Sequence, residues 1–488
     1  MRILLIKPPA NPKLVAPSGG EPLELEYLAA GVKEHEVEIL DMRFDRRLTR
    51  KLERMKPHFV GLTGYTCDAN SARDVMREVK KFDRRIVTGV GGHHATFLPS
   101  DFALPFVDVV FLGMADLTFP EYIRALDRGG EAASVNNLAL RRDGGLLFTE
   151  PAPFAVDLNR LPLPNRELTR QYRRGYRDQA GARTAMVLTS RGCPFRCDFC
   201  ACWKLLGGKY LVRSPESVVE ELATLPGDID HVFFADDNTL HNPRQAWRLA
   251  QMIRESGLNL KFSMFARADT IVKNPDLIRY LRECGLTSLT VGIESVRDED
   301  LAAMNKGTTA AVNARAIEIL HEQGIAIGAH FIVNPEFTRG DFERLFKYVD
   351  EHDLFRPVYT VLTPYPGTDI YLENQDKILI RDFDYYDVMH AIFPTRLSRP
   401  EFYRELERLY LRSYSFRRYF RSVLSGLQSK LGKPNRQSPR RPDRLPFVRL
   451  ALLHLFLFPL LLKFRRDCRH EPVGGCPQSA SGAPNPCF

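Results

Sequence analysis

The sequence predicts an α/β protein built as a doubly wound parallel sheet (residues 1–125), a β/α barrel, complete or partial (185–370), and a helical C-terminal region (371–430). Three observations predict it. Short apolar runs alternate with charged stretches at helical spacing, as strands buried on both faces alternate with covering helices. That alternation comes in two blocks, separated by a Pro-rich stretch that no regular element accommodates. A chain of 488 residues with 44% apolar content can also build two or three cores.

In the first block the strands are ILLI (3–6), VEIL (37–40), FVGLTGY (59–65), RIVTGVGG (85–92) and VDVVFLG (107–113), with ANSARDVMREVKKF (69–82) as a helix. Several end in glycine: Gly61 and Gly64, Gly89 to Gly92, and Gly113. Open α/β sheets bind ligands outside the carboxyl ends of their strands. Glycine there lets the backbone approach a ligand; a plain turn explains each one equally well. Residues 126–184 read as a linker holding a hairpin around Asp143-Gly144-Gly145 and the Pro-rich DLNRLPLPNREL.

The second block repeats strand then helix six times. Its strands are TAMVLTS (184–190), HVFFADD (231–237), KFSMFAR (261–267), SLTVGIES (288–295), IAIGAHFIV (325–333) and VYTVLTPY (358–365). In β/α barrels chemistry sits at the C-terminal strand ends. Residues 371–430 are rich in Tyr and Arg; aromatics there at such density are core more often than pocket. Residues 431–488 read as a basic linker, a short apolar segment and a disordered tail. LALLHLFLFPLLL (450–462) has thirteen residues without a charge, and cations flank it. A spanning helix needs roughly 20 apolar residues. An interfacial, membrane-associating segment fits better, with a buried C-terminal helix as the alternative.

The net charge of +9 is moderate, and a large share of the excess follows residue 412, so no nucleic-acid surface is expected. MRILLIKPP reads as a first strand rather than a signal peptide, which places the protein in the cytoplasm. Nine cysteines, an odd number, include four within ten residues: Cys193, Cys197, Cys200 and Cys202. That is metal ligation rather than a disulfide framework. In SRGCPFRCDFC three thiols follow the first barrel strand directly, on the catalytic face. Three thiolates hold three irons of a cubane and leave the fourth open. Cys202 raises the alternative of a four-cysteine zinc or electron-transfer site, but two residues after Cys200 it is awkwardly placed for the same centre.

The CxxxCxxC spacing at Cys193, Cys197 and Cys200, with Phe199 before the last, resembles the signature of the radical S-adenosylmethionine (SAM) superfamily, over residues 185–370. The resemblance implies one 4Fe-4S cluster on those cysteines. It implies SAM on the open iron, cleaved reductively to a 5′-deoxyadenosyl radical, with an electron from a donor such as flavodoxin or ferredoxin. SAM-binding positions carry over to Phe199, to Asp236 and Asp237 for the methionine amine, to Arg267 for its carboxylate, and to Glu294 and Ser295 for the ribose. The doubly wound, Rossmann-like domain ahead of the barrel resembles the cobalamin-binding subclass. Thr63, Gly64 and Tyr65, Gly91, Gly92, His93 and His94, and Gly113 would then meet the corrin or its nucleotide tail. No DxHxxG motif exists to supply a histidine ligand to cobalt, and Gly113-Met114-Ala115-Asp116 departs from the subclass's GEGE.

Together these imply methyl transfer from methylcobalamin to an unactivated carbon, with no general base assignable. The stretches GLTGYTCD and GGHHATFLPSDF and the apolar C-terminal run are most like the hopanoid C-3 methylase family. That family implies a membrane-resident triterpenoid lipid as substrate and peripheral association with the inner face of the membrane. Another lipid or natural product is the first alternative, and a non-methylating oxidative cyclase of the chlorophyll-precursor type the second. A methylthiolase would need a second cysteine trio before Cys193, where only Cys67 occurs.

Overall fold

Ile3 to Ile6 leave no polar face, so β1 (Arg2–Lys7) is buried on both sides. Alternation sends Leu4 and Ile6 into one core and Ile3 and Leu5 into another. The computed structural model describes residues 1–418 apart from 12, 14–18, 153–156, 179–180 and 416–417. β1 is flanked by β2 (Glu36–Asp41) and β3 (Phe59–Thr63); β4 (Val87–Gly91) and β5 (Val109–Phe111) follow, all parallel. The order 2-1-3-4-5 reverses between β1 and β3, and the carboxyl ends of those two strands open a crevice.

The sheet continues past residue 125. β6 (Leu138–Arg142) and β7 (Gly145–Phe148) add antiparallel, so part of the expected linker is sheet. Leu138, Ala139 and Leu140 of β6, paired on both sides, are buried, while Arg141 and Arg142 reach solvent; β7 is the edge.

In the barrel β8 (Thr184–Val187) precedes a short antiparallel pair, β9 (Ser190–Arg191) with β10 (Leu211–Val212), which brackets the cysteine loop. β11 (His231–Phe234), β12 (Phe262–Ala266), β13 (Leu286–Glu294), β14 (Ala326–Val333) and β15 (Arg356–Val361) complete a parallel sheet ordered 15-14-13-12-11-8. The barrel is partial: β8 and β15 are its two edges. Several of its helices begin at capping side chains. Ser214, Asn242 and Thr309 accept backbone N–H groups as N-caps, and Thr338 and Asp341 form a capping box.

The C-terminal region is less helical than expected. Helices Asp369–Glu373 and Arg399–Ser413 enclose an irregular stretch. Its side chains satisfy one another instead: Ile378, Ile380, Tyr385, Tyr386 and Ile392 form a small core, and the Tyr386 hydroxyl donates to the Ile380 carbonyl. This stretch straps the N-terminal domain through Asn70, which donates to Asp382 and Asp384 at 2.8 and 3.0 Å.

A second junction is ionic. Arg166 donates to Glu21 (3.2 Å) and Glu221 (2.6 Å), and Arg213 binds the other oxygen of Glu221. Glu26 accepts from Thr169 beside them; Glu21, Glu26, Thr169, Arg213 and Glu221 are buried and Arg166 nearly so. Among the described residues no helix is long and apolar enough to cross a membrane. The apolar segment 450–462 and the tail lie outside the described residues.

Candidate functional site

Two successive carboxylates at the end of β11 fix the backbone that enters the cysteine loop. Asp236 accepts from the N–H groups of Thr189 (2.7 Å) and Ser190 (3.0 Å) and from the Thr189 hydroxyl. Asp237 accepts from the Gly192 N–H at 2.9 Å. Gly192 has φ 83°, and a side chain there would strike the Lys209 carbonyl. Cys193 therefore leaves the β9–β10 pair in one direction only. The loop is then tied internally, by Cys200 N–H and the Trp203 indole donating to the Cys197 carbonyl.

The three expected thiols are brought together on this loop, each within electrostatic reach of another. Burial pushes Cys193 up to about 11. Burial also raises Cys197, while Lys306 and Arg267 pull it back. The Cys202 thiol donates to Cys200 and holds it below the ordinary thiol value. Cys202 starts its own short helix. Among the described residues no three His, Cys, Asp or Glu side chains converge as around a single ion. A cubane asks instead for sulfurs at separate corners, which three thiols spaced along one loop can provide.

The loops after β3 and β4 meet as expected. A side chain on Gly92 (φ 103°) would come within 2.8 Å of the Gly64 carbonyl, so Thr63-Gly64 and Gly91-Gly92 pack backbone to backbone. Thr96 ties Gly113 to this pair, accepting from its N–H and donating to the Gly92 carbonyl. Tyr65 stacks on His93 (5.5 Å, 27°). Tyr65 is 54% exposed, yet surrounding protein raises its hydroxyl, as on the wall of a recessed chamber open to solvent. Flat aromatic and glycine surfaces at the carboxyl ends of adjacent strands suit a planar macrocycle.

Both halves line the same chamber. Burial lowers His93, and Asp237 from the barrel and Glu24 from the N-terminal domain oppose that. Asp116 binds Arg191 through both oxygens (2.5 and 2.9 Å), two residues before Cys193. Arg191 also lies over the Tyr27 ring.

Other expected residues are engaged elsewhere. Asp236 is buried, with its oxygens taken by the loop; burial raises it to about 6 against those hydrogen bonds. Ser295 donates to Asp300 and accepts from Arg297 N–H. Arg267 is held by Asp269 and the Lys306 carbonyl, with Nη1 aimed at the Cys197 sulfur (3.9 Å). His94 is buried against Asp101 (3.1 Å) and the Phe383 ring, within packing rather than at the loops' open face. The common cause is that polar groups at strand ends first satisfy neighbouring loop backbone and charge. Asp237, by contrast, stays open to the chamber, and Phe199 lies beside Lys306. Lys7, Glu24, Asp116, Arg191 and Lys306 were not singled out by sequence. Only Asp116 left a signal, as the departure at residues 113–116.

Comparison with known proteins agrees with this architecture. Residues 187–349 match the model of the radical SAM superfamily, and residues 13–123 that of the B12 binding domain. An uncharacterized methyltransferase of Pyrococcus horikoshii is 30% identical over 384 residues, 76% of this chain and 82% of that protein. Hopanoid C-3 methylase of Methylococcus capsulatus is 28% identical over 396 residues (79% and 75%). Anaerobic magnesium-protoporphyrin IX monomethyl ester cyclase of Rubrivivax gelatinosus is 28% identical over 384 residues (77% and 68%). Among solved structures, the cobalamin-dependent SAM radical enzyme OxsB with aqua-cobalamin and SAM bound superposes with a TM-score of 0.69 at 16% identity, over 94% of this chain and 75% of that one.

Proposed function

The chain belongs to the radical SAM superfamily, with a B12-binding domain ahead of its barrel, and we propose that it is a cobalamin-dependent methyltransferase acting on an unactivated lipid carbon, by preference C-3 of hopanoids. The observation that carries this reading is the shared chamber: Asp237 faces both His93 of the cobalamin side and the cysteine loop. When bound, the reduced cluster with SAM supplies a radical that removes hydrogen from carbon, and methylcobalamin supplies the methyl group that replaces it.

The residues bind and orient; none has to act as acid or base on an sp³ carbon. Cys193, Cys197 and Cys200 hold the cluster. Asp237 accepts the SAM ammonium, Glu294 takes the ribose, and Phe199 packs beside the nucleoside. Thr63, Gly64, Tyr65, Gly91, Gly92, His93 and Gly113 cradle the corrin. Asp116 and Arg191 fix the distance between the two halves, on which transfer between two cofactors depends. A low-potential carrier, flavodoxin or ferredoxin, supplies the electron, and the cation-flanked run 450–462 brings the enzyme to its lipid at the membrane's inner face.

The test is anaerobic reconstitution with iron, sulfide and methylcobalamin, then SAM, a reductant and a lipid extract containing hopanoids. Mass spectrometry should find 5′-deoxyadenosine, S-adenosylhomocysteine and a hopanoid heavier by one methylene. A second reading is favoured by the cyclase relative of equal identity. Deoxyadenosine without S-adenosylhomocysteine, from a porphyrin ester but not from lipid, would decide for it.

A further inference from the structure

Two buried cations stand on the barrel side of Cys197. Arg267 follows β12; its Nε donates to Asp269 at 2.9 Å, its Nη2 to the Lys306 carbonyl at 2.6 Å, and its Nη1 lies 3.9 Å from the Cys197 sulfur. Its guanidinium also covers the Phe195 ring at 3.6 Å. These contacts orient the guanidinium with Nη1 toward the sulfur. The Lys306 ammonium donates to Glu294 at 2.7 Å and lies 5.8 Å from the centre of the Phe199 ring.

The turn carrying Lys306 clasps the cysteine loop. Asp198 N–H donates to the Met304 carbonyl (3.2 Å) and the Asn305 amide to the Arg196 carbonyl (2.8 Å). Asn305 and Gly307 adopt φ of 50° and 65° to make the turn. Glu294 is also left-handed (φ 61°), a strained conformation for glutamate. Its carboxylate and the Lys306 ammonium fill the space a side chain at Gly292 would need. The pair is therefore held by shape as well as charge.

We propose that Arg267 and Lys306 set the reduction potential of the cluster, Arg267 by an N–H···S contact to Cys197 and Lys306 as a second buried charge, with Glu294 tempering both. Reduction adds one electron to the cluster without bond or proton change, so adjacent positive charge favours the reduced form and negative charge disfavours it. The inference rests on the three-cysteine cluster of the proposed function.

The full chain, reconstituted anaerobically, is assayed for iron and sulfide and then titrated with dithionite, without SAM, while the reduced cluster is followed by electron paramagnetic resonance. Lys306→Met and Arg267→Met should shift the midpoint to lower potential, Glu294→Gln should shift it higher, and Lys306→Arg should leave it in place. Wild-type chain without a cluster would instead remove the underlying reading. A full complement of iron with unmoved midpoints, or shifts of one sign in all variants, would overturn the inference. So would cluster loss from Lys306→Arg as well as Lys306→Met, which would make the turn a clasp alone.

Discussion

The N-terminal sheet meets the barrel twice, and the two junctions use charge in opposite ways. At Arg166 and Arg213 the guanidiniums are engaged by Glu21, by both oxygens of Glu221, and by the carbonyls of Met186 and Leu188. At Lys7, Glu24, His93 and Asp237 charges of both signs gather too, yet Tyr65 is 54% open and Asp237 is exposed. Buried charge paired within the protein is architecture; charge of both signs beside exposed aromatic and carboxylate surface marks a binding site. The number of ionic contacts does not separate the two cases, but the open surface does.

The sharpest break of this comparison is at the cluster itself. Cys197→Ala should remove bound iron and abolish deoxyadenosine formation, measured by metal analysis and chromatography, with the fold intact by circular dichroism. Next in size, Arg166→Met should destabilise the protein by about 3–5 kcal/mol, because three carboxylates lose a shared buried cation. Asp237→Asn should change stability by less than about 1 kcal/mol while weakening SAM binding at least tenfold in equilibrium dialysis. Equal stability losses at both positions would erase the distinction between the junctions.

The Asp116–Arg191 bridge tests whether the two halves are held in register. Asp116→Asn loses the charge-assisted bidentate pair, worth about 1.5–3 kcal/mol. Deoxyadenosine should still form, but the yield of methylated product per deoxyadenosine should fall several-fold. A fall in both together would mean that the bridge supports the cluster loop rather than the spacing between cofactors.

Periodicity and punctuation made the main elements readable. Ile3 to Ile6 could only be a buried strand, and the six barrel strands lie at or within a few residues of their expected starts. The cysteine trio was legible because spacing on one loop is a local property. What stayed hidden depends on contacts between segments distant in sequence. Asp236 reads as a free strand-end carboxylate until the Thr189–Ser190 backbone folds onto it. Lys306 reads as a surface lysine until its turn closes on the cysteine loop, and Arg166 lies in a Pro-rich stretch that carries no pattern at all. The hairpin after residue 125 was visible, but only its pairing with β5 makes it part of the sheet.

A pH-dependent effect lies within the closed junction. Three carboxylates, Glu21, Glu26 and Glu221, face two guanidiniums, so one acid is in excess. Glu26 is that acid. It is buried, its Oε2 has no hydrogen-bond partner, and burial, with the charge of Glu21 added, raises it to about 8 against Arg166 and Thr169. A free glutamate titrates near 4.5. Between about 4.5 and 8 the folded protein thus binds a proton the unfolded chain has released, and stability falls as pH rises through that window. The slope approaches about 1.4 kcal/mol per pH unit. Glu26→Gln keeps the acceptor for Thr169 and removes the titration, so the urea midpoint should lose that decline and the variant should be the more stable protein at pH 8. A parallel decline in both proteins would mean Glu26 is ionised in the fold. The closed junction would then carry an unbalanced charge, and internal pairing would no longer distinguish it from the chamber.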